Sequence, residues 1–356
     1  MATTADDASV ARAADAASAP DPRQEAVRGP VLCVTTNPAI DITYTIDELR
    51  PGTSHRVPTG LARAGGKGVN VARVLHQRGE EALVVAPVGG PVRDIFVHDL
   101  DRSRIPHRLV EVDAPTRRTT AIVTPAGTTN LNERGQAIGA DEWSRVLDAL
   151  REEAGRARLV ICSGSLPPQT PEGLCTSIVR IAAEAGAHVI VDVGGEQLRQ
   201  AVASGARAAK PNRHELLEAM GGSDPLDAAR RLAASGTGTV FASLDVEGML
   251  AVLPDGRAWH AMLDGVLEGN PTGAGDAAVA ALAQALCEGV PLEEQARARD
   301  GVVGGGRAGA AGGLDRRSRG AARAHPHPPD RLMRDRAGAL RPPAFREAPG
   351  SGALVR

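Results

Sequence analysis

The sequence predicts an α/β fold in which a mostly parallel central sheet is covered by helices on both faces. Apolar runs such as LVICSGS (159–165), HVIVDV (188–193) and TVFASL (239–244) lack polar alternation, as strands buried on both sides do. Amphipathic stretches separate them, so strand and helix alternate along most of the chain. Turns marked by Gly, Pro or Asn follow several runs, at the strand ends where ligands of such sheets bind.

The first strand is placed in VLCVTTNPAID (31–41), an apolar run stopped by Asn-Pro, and puts Asp41 just beyond it. ITYTI (42–46) and SHRVPTGLARA (54–64) read as short half-buried strands. GGKGVNVARVLHQRG is a Gly-rich turn opening a helix that closes at Gly79. EALVVAPVGG follows as a strand and TTAIVTPAG with TTNLNE as a hairpin. ADEWSRVLDALREEAGRA is an amphipathic helix with Asp141 near its N-cap. The alternation then runs through LVICSGS, the helix PEGLCTSIVRIAAEAG, HVIVDV, the helix EQLRQAVASG and the short strand and turn ARAAKPN. HELLEAM and DPLDAARRLAASG are helical, TVFASL a strand, GMLAVLPDGRAWHA a hairpin and GAGDAAVAALAQALCEG a helix.

The pattern bounds a domain over residues 30–295. Residues 1–29, rich in Ala, Asp and Pro, read as a disordered extension. Residues 296–356 are rich in Arg, Gly, Ala and Pro, hold no periodicity and read as a disordered tail. A shift of reading frame near Asp300 would account for the sudden change.

The chain's 356 residues suffice for one large α/β domain with a small accessory element. Only 2% are aromatic, so Ala, Val, Leu and Ile must fill the core. A formal net charge of −2 argues against a nucleic-acid or anionic-membrane binder, while leaving room for locally basic sites. No uncharged apolar stretch approaches the ~20 residues of a membrane span. The N-terminus lacks the basic start and apolar core of a secretory signal. Cys33, Cys162, Cys175 and Cys287 show no CxxC spacing and read as buried thiols of a reducing cytoplasm.

Chemistry concentrates in the turns. In NPTGAGDAAVAALAQALCEG, Gly273, Ala274 and Gly275 open a helix, so free backbone N–H groups and the helix dipole form an anion site. Asp276 lies in the same turn. A carboxylate there repels a bound phosphate, yet suits a base that takes a proton from a hydroxyl attacking a phosphoryl group. In AGGKGVNVAR, Gly65, Gly66 and Gly68 permit close backbone approach and Lys67 supplies a point charge. In KPNRHEL, Asn212 and Glu215 stand three residues apart on one helix face, able to cap that helix or to share a Mg²⁺ water shell. SGSLPP (163–168) directly follows a strand. Lys67 and Lys210 are the chain's two lysines, and both fall in such turns.

Together NPAID, GGKGVNVARVL, SGSLPP, KPNRHEL and NPTGAGDA resemble the PfkB branch of the ribokinase-like carbohydrate kinases, specifically the 1-phosphofructokinase and tagatose-6-phosphate kinase group. The resemblance covers about Val31 to Pro291, with the motifs in the family's order. It implies a three-layer α/β/α sandwich with a small β lid, here ITYTI and SHRVPTGLARA, that often forms a homodimer contact. It also implies MgATP-dependent phosphorylation of a ketohexose phosphate, with Asp276 as base and Gly273, Ala274 and Gly275 as the anion hole. Asp41, Gly66, Lys67, Asn70 and Ser165 match sugar-binding positions. Arg117, in APTRRTT, matches the arginine that binds the substrate phosphate, with Arg118 adjacent. Lys210, Asn212, Ser243 and Gly248 match the nucleotide side, and Asn212 with Glu215 the Mg²⁺-water cluster.

Several motifs depart from the family pattern. Asp245, in SLDVEG, stands where a glycine is usual beside the nucleotide, and an extra carboxylate there repels phosphates. NERGQ replaces NEPGP, VDVGGEQL a VDTSGEAL-like strand end, and GGPVRD a more Gly/Thr-rich turn. The family's C-terminal small-residue helix beside adenine has no counterpart after Gln295. The nucleotide-side departures leave a sugar-phosphate-binding pseudokinase as one alternative, and the resemblance also admits a 6-phosphofructokinase of the PfkB type as another.

Overall fold

The computed structural model describes residues 29–236, 238–261 and 273–297. The N-terminal extension through residue 28, the tail from residue 298 and the frame shift expected near Asp300 lie outside these described residues.

β1 (Val31–Thr35) is wholly buried. Leu32 and Val34 enter one core layer, Val31 and Cys33 the other, as a strand with both faces covered requires. The run expected as one strand over 31–41 is in fact two. It breaks at Thr36–Pro38, where Pro38 has no N–H for a ladder, and β2 (Ala39–Thr45) leaves for a second sheet. Asp41 therefore lies inside β2 rather than beyond the first strand.

Of the strand expected over 54–64 only β3 (Leu61–Gly65) forms. Residues 54–59 are exposed, and Pro58 cannot donate to a ladder. Then come α1 (Lys67–Gln77), β4 (Ala82–Gly89), α2 (Arg93–Arg102) and β5 (His107–Val112). α2 and β5 carry weak sequence patterns. α2 buries only Phe96, Asp99 and Leu100, and β5 is an edge strand with Arg108 and Glu111 exposed. The hairpin is β6 (Arg117–Thr124) and β7 (Gly127–Asn132).

The alternating half follows the sequence closely, with α3 (Ala140–Ala154), β8 (Leu159–Ser163), α4 (Leu174–Glu184), β9 (His188–Asp192), α5 (Gly195–Ala203) and the two-residue β10 (Ala208–Ala209). α6 (Arg213–Met220), α7 (Pro225–Ala234), β11 (Thr239–Ser243), β12 (Met249–Val252), β13 (Ala258–Ala261), α8 (Ala274–Cys287) and α9 (Leu292–Arg297) complete it.

The main sheet has the order β13-β12-β11-β10-β9-β8-β1-β4-β5, parallel from β11 to β5 and antiparallel at β12 and β13. One core layer lies under α3, α4, α5 and α7, the other under α1, α2 and α8, so the architecture is α/β/α. Val, Leu, Ile and Ala dominate both layers, as the shortage of aromatics requires. The second sheet, β3-β2-β6-β7, is the lid. It is larger than the expected 42–64 because the hairpin joins it, β6 pairing parallel to β2.

Strand order reverses around β1, which has β4 on one side and β8 on the other. The loops leaving β1 and β8 diverge there and open a crevice at their carboxyl ends. Across it the Thr36 hydroxyl donates to the Ser165 carbonyl (3.0 Å) and Asn37 Nδ2 to Ser165 Oγ (3.1 Å).

Candidate active site

α8 begins at Gly273, whose φ of 84° is left-handed and suits glycine. Its first-turn N–H groups have no partner further up the helix. A side chain on Gly275 would begin 3.7 Å from Lys210 Nζ, so an ammonium stands beside this N-terminus. Oriented amides and a buried cation together suit a phosphate.

Asp276, in that first turn, is buried. Loss of solvent and the nearby Asp192 carboxylate raise its pKa to about 7, although Lys67, Lys210 and a hydrogen bond from Asn70 Nδ2 to its Oδ2 (3.0 Å) oppose the shift. Oδ1 takes no hydrogen bond among the described residues. The carboxyl can therefore exchange a proton near neutral pH through an open oxygen.

Both lysines converge on Asp192, at the end of β9. Lys67 Nζ lies 3.5 Å and Lys210 Nζ 3.4 Å from its Oδ1, and Ser163 Oγ donates to Oδ2 at 2.9 Å. Burial alone would raise Asp192, but the two ammonium groups and the hydroxyl hold its pKa below the usual carboxylate value. Lys67 also donates to Glu215 Oε1 at 3.0 Å. Burial works against its charge, yet Asp192 and Glu215 outweigh that and raise its pKa. Sequence reasoning missed Asp192. The available signal was an acid ending an otherwise apolar strand, where a buried carboxylate needs a partner.

On the lid side, Asp41 accepts from Thr119 Oγ1 at 2.5 Å. A Cβ on Gly65 would sit 2.0 Å from its Oδ2, so only glycine lets β3 approach. Burial raises the pKa of Asp41 against Thr119 and Arg117. Arg117 Nε donates to the Asn37 carbonyl (3.2 Å) and its Nη1 to the Glu133 carbonyl (3.0 Å). Burial lowers its pKa against the pull of Asp41 and Glu133. Arg117 lines an open cleft of about 390 Å³ with Arg118 and Arg134. Asn37, another residue missed in sequence, links Arg117 to Ser165 and to the carbonyl of Arg134.

On the opposite side, Asn212 and Glu215 form a capping box on α6. Asn212 Oδ1 accepts from the Glu215 N–H (2.8 Å) and Glu215 Oε2 from the Asn212 N–H (2.9 Å). Asn212 pairs with Ser243 across an isolated bridge, and the Leu244 N–H donates to the Gly248 carbonyl at 2.8 Å. Asn212, Arg213, His214, Leu217, Glu218 and Asp245 line a second cleft of about 630 Å³. Asp245 has φ 54°, a left-handed backbone that glycine adopts at less cost.

The expected site residues thus form one band. Asp41, Gly66, Arg117 and Ser165 lie at the lid end, Asn70, Lys67, Lys210 and Asp276 in the middle, and Asn212, Ser243 and Gly248 at the far end. No group of three or more His, Cys, Asp or Glu among the described residues forms a metal cage. Mg²⁺ commonly keeps its waters and binds through one or two carboxylates plus substrate phosphates. Glu215 is partly exposed, and with Lys67 on its Oε1 and the Asn212 N–H on its Oε2 it fits contact with such an ion through water rather than direct ligation.

Residues 33–298 match the model of the pfkB family carbohydrate kinases. The fold is similar to phosphofructokinase-2 from Escherichia coli in its tetrameric inhibited form, at 28% identity and a TM-score of 0.71 over 80% of this chain and 94% of that one. The same enzyme in complex with fructose-6-phosphate matches at 28% identity and a TM-score of 0.69, over 80% and 93%. A Thermotoga maritima protein described as a possible 1-phosphofructokinase shares the fold at 24% identity and a TM-score of 0.68, over 75% and 88%. The chain belongs to the pfkB family of carbohydrate kinases, enzymes that transfer phosphate to a sugar hydroxyl.

Proposed function

We propose that this kinase uses MgATP to phosphorylate a primary hydroxyl of a ketohexose phosphate, in the manner of 1-phosphofructokinase or tagatose-6-phosphate kinase. The observation that carries the phosphoryl-transfer step is the position of Asp276, buried in the first turn of α8 beside Lys210 with Oδ1 open and its pKa pushed up to about 7 by burial and Asp192.

The acceptor hydroxyl attacks the γ-phosphorus, forming one O–P bond as the bond to the ADP oxygen breaks. The hydroxyl proton passes to Asp276 Oδ1, while Asn70 holds Oδ2. Gly273, Ala274 and Gly275 offer N–H groups to the transferring phosphoryl group, and Lys210 and Lys67 offset its charge. Asp41 and Ser165 orient the sugar at the lid end, and Arg117 anchors its existing phosphate. Asn212, Ser243 and Gly248 border the nucleotide. Glu215 and Asn212 would hold Mg²⁺ through water, and the ion would neutralise charge on the ATP phosphates. The lid's edge strands expose Leu61 and Leu131, which supports a homodimer through this sheet.

A second reading has an observation of its own. The Escherichia coli phosphofructokinase-2 similar to this chain is described in complex with fructose-6-phosphate, so a 6-phosphofructokinase reaction fits the same site.

Arg117→Ala is expected to raise KM for the sugar phosphate by about 10- to 100-fold and to leave KM for MgATP nearly unchanged, since a charge-assisted contact is worth roughly 1.5–3 kcal/mol. Parallel rises in both constants would make Arg117 structural. Asp245→Gly is expected to tighten MgATP binding several-fold, because roughly 1 kcal/mol of repulsion disappears from a solvated site. The gain should shrink with added salt. Unchanged MgATP affinity would mean that the carboxylate does not face the triphosphate.

Calorimetric titration with each ligand separates a kinase from a binding protein. Saturable binding of both MgATP and one ketohexose phosphate is expected. Sugar-phosphate binding without MgATP binding would favour a pseudokinase.

A further inference from the structure

We propose that Arg134, which lines the same cleft as Arg117, is a second guanidinium arm for the acceptor's own phosphate, and that it sets the preference for a phosphorylated sugar. This rests on the acceptor reading above.

A phosphate monoester presents three terminal oxygens and up to two negative charges. Arg117 spends Nε and Nη1 on the carbonyls of Asn37 and Glu133, so Nη2 is what remains wholly open for an anion. One arginine used in this way does not cover a phosphate. Arg134 lines the same cleft of about 390 Å³. Its guanidinium makes no hydrogen bond or ion pair among the described residues, so all of its donors are available to a ligand in that cleft.

The backbone beneath Arg134 is fixed by the same residues that hold Arg117. Asn37 Nδ2 donates to the Arg134 carbonyl at 3.0 Å, and Arg117 Nη1 to the preceding carbonyl. Gly135 follows with φ 85°, and a Cβ there would strike Asn37 Oδ1 at 2.7 Å. The Glu133 carboxylate is engaged at the back of the loop, Oε2 accepting the Arg118 N–H at 2.8 Å. The loop therefore presents an unpaired cation on an ordered base, which lowers the cost of ordering it on a ligand. Arg118 also borders the cleft, but as the next residue along β6 its side chain leaves the opposite face of the strand from that of Arg117.

The test is calorimetric binding of fructose 1-phosphate, tagatose 6-phosphate, fructose 6-phosphate and MgATP to the full chain and to Arg134→Gln, Arg134→Lys and Arg118→Gln. Arg134→Gln is expected to weaken the best sugar phosphate about 10- to 100-fold, leaving MgATP within twofold. Arg134→Lys should recover part of the loss, since it keeps the charge without the fork. Arg118→Gln should lose less. Unchanged sugar-phosphate affinity in Arg134→Gln overturns the proposal alone, and so does an equal loss for MgATP. If the parent chain binds none of the three sugar phosphates, the acceptor reading fails first and takes this proposal with it.

Discussion

Asp276→Asn is expected to lower turnover on the order of 10²–10⁴-fold, while the affinity for sugar phosphate stays near that of the parent. The amide is nearly isosteric and can keep its oxygen toward Asn70 Nδ2, but it cannot take up the hydroxyl proton. The same variant should be more stable than the parent above neutral pH. Asp276 has a folded pKa raised from 3.8 to about 7, so protonation favours the native state. That stability is complete below about pH 4 and is lost as pH rises through 7. A shift of three units corresponds to roughly 4 kcal/mol at most, and the advantage of the asparagine should grow between pH 4 and 7 and then level off. Denaturant melts at pH 5 and 8 measure it, and turnover within tenfold of the parent would remove Asp276 from the chemistry.

Asp192→Asn is expected to cost about 3–5 kcal/mol of stability at pH 7, because the buried Lys210 ammonium loses its counter-charge, while the partly exposed Lys67 keeps only Glu215. Asp192 has a folded pKa below its ordinary value, so its contribution is present above about pH 4 and disappears as pH falls through the folded pKa. The melts of parent and variant should converge in acid. The variant should also move the activity profile. With Asp276 as the base, kcat/KM of the parent falls below about pH 7. Removing the Asp192 charge takes away one of the two influences that raise Asp276, so the acid limb should shift to lower pH. A limb that stays in place in a folded variant would break the link between the two carboxylates.

The alternating half of the fold was legible because β8, β9 and β11 are buried on both faces and write that burial directly into sequence. The turn motifs pointed to Asp276, Lys67 and Lys210, and the structure gathers all three around one carboxylate. Asp192 was missed although an acid ending the apolar run HVIV is a local signal, because which partners it takes is decided only when two distant lysines meet it. The lid was read too small for a similar reason. β2 pairs with β6 across more than seventy residues, a contact that local alternation does not encode. α2 was missed because it buries only Phe96, Asp99 and Leu100, too few apolar positions for a clear helical stripe, and one of the three is polar. Asp99 accepts from the Ala64 N–H (3.0 Å) and from Arg73 Nη2 (2.8 Å), tying the root of the lid to the core. Asp245 was visible as a departure from pattern, and its positive φ gives that departure a backbone cost.

ADP release measured over a panel of acceptors reads out phosphoryl transfer from ATP to a sugar that already carries a phosphate. With saturating MgATP, rapid ADP formation is expected with fructose 1-phosphate, tagatose 6-phosphate or fructose 6-phosphate, far slower formation with fructose, and loss of the signal in Asp276→Asn. ADP release that is no faster with any sugar phosphate than with water alone, from a chain that binds both ligands, would contradict it.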